Sequence, residues 1–127
     1  MTDPAIHWLG YTAIVAIALV LAWWPTAAVV RRLLTAIELN DGATISRPGL
    51  GRWIGRFERI LIVLLMISDA PTAVGLVVTA KSILRFPEIT GDDPAMRPEY
   101  VLVGSLASWT IGVAIGYVAR LLIGQLP

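Results

Sequence analysis

Residues 60–80 read ILIVLLMISDAPTAVGLVVTA, an apolar run of 21 residues interrupted by one ionisable side chain, Asp69. At 1.5 Å per residue a continuous helix over this stretch rises about 31 Å, enough to cross a hydrocarbon core of ~30 Å. Two readings compete. In the first, the stretch is one span kinked at Ser68-Asp69-Ala70-Pro71, and the protein has three spans. In the second, Asp69 caps a new helix whose first turn holds Pro71, where a missing N–H costs nothing. The chain then turns back as a helical hairpin and the protein has four spans.

Outward from this stretch, Ile6–Trp24 and Tyr100–Ala119 hold no Asp, Glu, Lys or Arg at all. With 57% hydrophobic and 15% charged residues, the composition is that of a membrane protein and not of a soluble domain. In lipid each backbone N–H and C=O must be satisfied within the protein, so runs of this length are helices. A barrel would need segments of ~10 residues alternating polar and apolar, and the sequence has none. The expected fold is an all-α integral membrane protein, a small bundle of four transmembrane helices with three spans as the alternative.

The chain divides as one membrane domain: a first span over 5–24, a basic juxtamembrane connection over 25–50, the hairpin or kinked span over 51–86, an acidic, proline-bearing loop over 87–99 and a last span over 100–124. Trp8 and the Trp23-Trp24-Pro25 trio mark the two interfaces of the first span, since indole rings favour the headgroup layer. Thr2 and Asp3 stand where a cleaved signal carries Lys or Arg, so the first span is expected to be a retained anchor. Beyond Pro25, residues through Leu39 are expected to form a short helix along the membrane surface, ending at Asn40-Asp41-Gly42.

The distribution of basic residues separates the two readings. Under the hairpin, both connections lie on one side and nine basic residues oppose one; under the single span the split is seven to three. The positive-inside rule favours the hairpin, with the 25–50 connection cytoplasmic and the N-terminus on the opposite side. A hairpin turning at Asp69 also brings Glu58, eleven residues before it, level with Lys81, twelve after. Both charges would then lie inside the bilayer, where an unpaired charge costs at least ~2.5 kcal/mol.

In the last span Gly104, Ser108, Gly112 and Gly116 recur every fourth residue. Small residues at this spacing let two helix backbones approach closely, and they serve equally a neighbour in the same chain or another copy.

Three blocks, Gly51-Arg52-Trp53-Ile54-Gly55-Arg56-Phe57-Glu58-Arg59, Ala80-Lys81-Ser82-Ile83-Leu84-Arg85-Phe86 and Glu99-Tyr100-Val101-Leu102-Val103-Gly104-Ser105-Leu106, together resemble the C-terminal portion of the bacterial membrane-protein family called domain of unknown function 3307. The likeness begins near Gly51 and runs toward the end of the chain. It implies a prokaryotic inner-membrane protein and brings no established activity with it. The family's long N-terminal membrane region is here a single anchor, and the mid-segment turn is Ser68-Asp69-Ala70-Pro71. The resemblance directs attention to Gly55, Glu58, Arg59, Lys81, Ser82, Arg85 and Phe86.

Each candidate group has a functional and a structural reading. Glu58, Arg59, Lys81 and Arg85 could line an ion or substrate path, but they also suit pairing across a hairpin or snorkelling to headgroups. Asp69 could be a protonatable carboxylate, and Ser-Asp-Ala-Pro is also a good helix start, which favours a cap. Arg31, Arg32, Arg47, Arg52 and Arg56 orient the chain and suit anionic lipid headgroups, each worth ~1 kcal/mol near the surface.

Other chemistry finds little support. His7 is the one histidine and cysteine is absent, so no metal site or thiol nucleophile is expected. Gly49-Leu50-Gly51 lacks the spacing of a nucleotide-binding loop and reads as a turn. Ser105, Ser108 and Thr110 have no base beside them, and Glu88, Asp92 and Asp93 are too few for calcium. No cofactor or nucleic-acid partner is expected. The functional expectation is a non-enzymatic protein that self-associates or docks on a larger membrane complex through Gly104, Ser108, Gly112 and Gly116; a pore, carrier or membrane-perturbing effector using the charge cluster is the alternative.

Overall fold

The computed structural model describes residues 4–36, 50–90 and 98–126. Among these the chain is helical throughout: α1 Pro4–Trp23, α2 Pro25–Ala36, α3 Leu50–Ile67, α4 Pro71–Thr90 and α5 Pro98–Ile123. The stretches 4–33 and 102–123 are each long and apolar enough to cross a membrane, and 71–84 is a shorter apolar helix.

The 60–80 stretch is a hairpin. At its turn the amide of Ala70 donates to Leu65 O at 2.9 Å and that of Asp69 to Met66 O at 3.2 Å, the paired 6→1 and 5→2 bonds that close a helix C-terminus. Asp69 occupies the left-handed position of this motif, with φ 59°. It therefore closes α3 through its backbone, a different capping role from the one the sequence suggested. The first amides of α4 donate instead to the Ala70 carbonyl, and Pro71, with no N–H to lose, opens the helix.

Two further boundaries differ from the sequence reading. Helix α4 runs through Pro87 to Thr90, and α5 begins at Pro98, so the acidic connection is shorter than 87–99. Helix α2 is not a separate surface element, because it packs against α5 as well as continuing α1. The Asn40-Asp41-Gly42 turn lies outside the described residues.

Helix α5 is the hub, touching the other four helices, and its most extensive seam is with α3. Side-chain contacts fix the register. Arg59 of α3 reaches Ala22 of α1 and Ser108 of α5, while Gly10 of α1 lies against Leu126 beyond α5, and Asp69 meets Arg120. Helices α1, α3, α4 and α5 thus alternate in direction, and α3 and α5 begin, and α4 ends, at the Arg59 end.

The bundle is small inside and large outside. One buried cluster joins Ala18, Ala22, Val63 and Ala119; the other joins Ile62, Met66, Val74 and Trp109. Around them Leu9, Ile17, Val20, Leu76, Ile83 and Leu84 are all exposed by more than half of their surface. In water this many exposed large side chains would form an aggregating surface, whereas in lipid the outside has no reason to be polar and close backbone approach becomes the main attraction.

The small residues of α5 supply that approach. A Cβ on Gly112 would stand 3.4 Å from Ile62 Cγ2, and one on Gly116 would stand 2.5 Å from Met66 Cβ and 3.2 Å from Val63 Cα. The stripe therefore seats α3 of the same chain. Gly116→Leu is expected to lower stability by ~1–3 kcal/mol through overpacking against Met66 and the α3 backbone. Gly75→Ala, where no atom lies within 4 Å of the added carbon, should be neutral or slightly stabilising. Unfolding by denaturant in mild detergent checks both; equal stability of the two variants would remove the close-packing account.

Candidate functional site

The helices bring several polar groups to one layer. By helical rise, Arg59 lies about 15 Å from the turn at Asp69, and Lys81 on α4 a similar distance. At this level Pro25 interrupts the first helix. Lacking an N–H, it leaves the Leu21 carbonyl without its intrahelical donor, and Thr26, itself buried, donates its hydroxyl to that oxygen at 2.9 Å.

Arg59 completes this join. Arg59 is 5% exposed, with Nε donating to Ala22 O at 2.9 Å and Nη1 to Ser108 Oγ at 2.8 Å. One planar guanidinium thus bridges three helices, because its donors are fixed in a fork and can address two acceptors at once. Hydrogen bonds from a charged donor are worth ~1.5–3 kcal/mol each, more than neutral ones.

Glu58 faces the other side of α3. Its Oε1 pairs with Lys81 Nζ of α4, and Trp109 Nε1 of α5 donates to Oε2 at 3.3 Å. The pair is mostly shielded, the Glu58 side chain 15% and the Lys81 side chain 23% exposed. It borders an apolar groove of about 420 Å³ between α3 and α4, lined in part by Phe57, Leu61, Val77, Leu84 and Trp109.

Arg56, one turn nearer the helix start, is held by aromatic faces. Its guanidinium carbon lies 5.1 Å from the Trp23 ring centroid and 5.5 Å from that of Trp53. Trp23 meets Trp53 and Phe57 edge-on, at 5.6 and 6.2 Å between centroids, while Trp53 stacks on Phe57. At the opposite end of the bundle Arg120 Nη2 lies 2.6 Å from Asp69 Oδ1, a pair far more exposed than Glu58–Lys81.

The structure thus separates the expected charge cluster into distinct partners. Glu58 and Lys81 meet, while Arg59 engages a carbonyl and a hydroxyl. Only the backbones of Arg52 and Arg85 are described, on α3 and α4; Arg47 lies outside the described residues. Arg31 and Arg32 are exposed on α2. Of the small residues, Ser108, Gly112 and Gly116 are buried against α3, and Gly104 is partly buried. Sequence reasoning missed Trp109, whose place in the middle of an apolar helix hid its role as a donor, and missed the demand that Pro25 places on its neighbours.

No protein-family model, curated protein or solved structure matches the chain. The described residues hold no grouping of His, Cys, Asp and Glu suited to a metal ion.

The Glu58–Lys81 contact makes a sharp expectation. Glu58→Gln or Lys81→Met alone leaves one charge unpaired and should cost ~2–3 kcal/mol of stability in a bilayer mimic. The double variant removes both charges and should recover most of that loss. Denaturant titrations of the four proteins in bicelles measure the coupling; additive losses would mean that the two side chains act independently.

Proposed function

We propose that this chain is a multi-pass bacterial inner-membrane protein with four spans, α1, α3, α4 and α5, and that it works without catalysis as a self-associating assembly subunit. Both interhelical connections, 37–49 and 91–97, then lie in the cytoplasm with the arginines of α2. The N-terminus and the Asp69 turn lie on the other side. The alternating helix directions and the concentration of basic residues at one end support this orientation.

The observation that carries the assembly reading is the outer face of α4. The α5 stripe, the docking face expected from the sequence, is filled by α3, so a partner would have to displace the chain's own helix. On α4, by contrast, Gly75, Thr79 and Ser82 form an exposed small-residue face flanked by Leu76 and Ile83, with open space over Gly75. The Thr79 and Ser82 hydroxyls donate to their own backbone at Gly75 O and Val78 O, both at 2.8 Å, which leaves the face smooth and without polar demands. Such a face, with a hollow at Gly75 and ridges at Leu76 and Ile83, is self-complementary and suits a second copy related by a two-fold axis.

A carrier or pore reading draws on the Glu58–Lys81 pair beside its lipid-side groove. The partners' mutual satisfaction favours a structural role over a transport path.

The chain contains no cysteine, so single replacements report cleanly. Cysteines replacing Ser46 and Asp92 should label from the same membrane side; labelling from opposite sides would end the four-span topology. In native membranes Leu76→Cys and Ile83→Cys should crosslink between copies while Ile17→Cys on α1 does not, and adding Gly75→Leu should abolish the crosslink. A chain that stays monomeric in bilayers, or that conducts ions in liposomes with rates altered by Glu58→Gln, would replace assembly with the carrier reading.

A further inference from the structure

An apolar groove of about 260 Å³ runs between α1 and α3, lined by Leu19, Val20, Trp23, Trp24 and Ile60. It opens outward: Val20 and Trp24 are exposed on the bundle surface. Arg56 stands one helical turn from Ile60 on the same face of α3, at the head of this groove. Trp23 belongs to both features, as a wall of the groove and as a ring under the Arg56 guanidinium.

Arg56 differs from the other basic side chains described in the span. Lys81 and Arg120 have carboxylate partners, and Arg59 has a carbonyl and a hydroxyl. No described carboxylate pairs with Arg56, and its buried Nε has no hydrogen-bond partner. Aromatic faces attract a cation through their quadrupole but leave its net charge uncompensated. They also hold the guanidinium in place, so an anion meets a pre-positioned donor. The tryptophans set the depth, because Trp23, Trp24 and Trp53 belong at the headgroup layer while Leu19 and Ile60 lie a turn deeper among acyl chains.

We propose that Arg56, with Trp23 and Trp53, binds the phosphate of one anionic phospholipid whose acyl chain lies in the α1–α3 groove. The general attraction of a basic connection for anionic headgroups becomes here a single site, with a charge contact and an apolar slot in register. The site rests on the membrane reading given above and falls in the leaflet that faces the basic connections, where anionic lipid attracts polybasic segments.

Tryptophan quenching in nanodiscs carrying lipids brominated along the acyl chain tests the site on the full protein. Half-maximal quenching is expected at a mole fraction about fivefold lower for brominated phosphatidylglycerol than for brominated phosphatidylcholine, the ratio that ~1 kcal/mol per basic residue gives. Arg56→Gln should abolish the preference, Arg31→Gln should leave it, and Arg56→Lys should keep a reduced one because charge survives without the planar stack. Val20→Phe, which narrows the groove and touches no charge, should weaken quenching by phosphatidylglycerol. Equal curves for the two lipids in the unaltered protein, or the same loss with Arg31→Gln as with Arg56→Gln, would overturn the site. Loss of the preference in excess inorganic phosphate would assign the guanidinium to free phosphate and overturn the lipid. Failure of both lipids to quench would instead overturn the membrane reading.

Discussion

The bundle depends on one buried guanidinium. A helix broken at proline inside a packed bundle leaves carbonyl oxygens without their helical donors, and a buried arginine carries donors that also need partners. Arg59 and the Pro25 break answer each other: Arg59 donates to the Ala22 carbonyl beside the interruption and spans to Ser108 on α5. Thr26 satisfies the Leu21 carbonyl that Pro25 orphans, and Arg59 takes the next one, at Ala22. Together the break and Arg59 fix the register of α1, α3 and α5, which is the register that lets Gly112 and Gly116 meet Ile62 and Met66 a turn or two further along the same seam.

That seam explains why the core can be so slight. Apolar burial gives little advantage when the surrounding solvent is itself apolar, so helices gain mainly from backbone proximity and from polar contacts that have no alternative partner. Ala18, Ala22 and Ala119 pack around Val63, and the larger residues are left for the periphery. The Glu58–Lys81–Trp109 contact does for α4 what Arg59 does for α1, tying to α3 and α5 a helix that otherwise touches them lightly.

Much of the fold was legible in the sequence because charge is so costly in a bilayer. The split of basic residues, together with the spacing of Glu58 and Lys81 about Asp69, favoured a hairpin over a kinked span, and the structure has the hairpin with Glu58 and Lys81 in contact. The four-residue period from Gly104 to Gly116 announced a close helix seam, yet periodicity is a property of one face and holds no information about which helix arrives there. Arg59 was singled out, but its partners were illegible: a side chain's hydrogen bond to a main-chain carbonyl leaves no mark on the residue that offers the oxygen. The only signal was Pro25, three residues beyond Ala22. Asp69 shows a third kind of difference, since Ser-Asp-Ala-Pro suits an N-cap and a left-handed helix end alike, and the tight reversal between α3 and α4 selected the second.

The unequal lengths of the helices have a consequence for the bilayer itself. From Pro4 to Trp23 α1 rises about 29 Å, matching a hydrocarbon core, whereas from Arg56, beside Trp23, to Asp69 the path along α3 rises only about 20 Å. Leu126 lies beyond Arg120 and touches Gly10, so the Asp69–Arg120 pair sits short of the α1 terminus. On the four-span topology that pair stands below the interface marked by Trp8, in the leaflet opposite the basic connections. Its exposure, 66% for the Asp69 side chain and 40% for that of Arg120, then faces lipid unless headgroups and water move inward to meet it. A bilayer accommodates such a short element by thinning, at fractions of a kcal/mol per Å, and an ion pair can draw the interface toward it where two separate charges would each demand solvation. On that topology the hairpin tip, closed by backbone bonds and neutralised by Arg120, would end within a depressed surface.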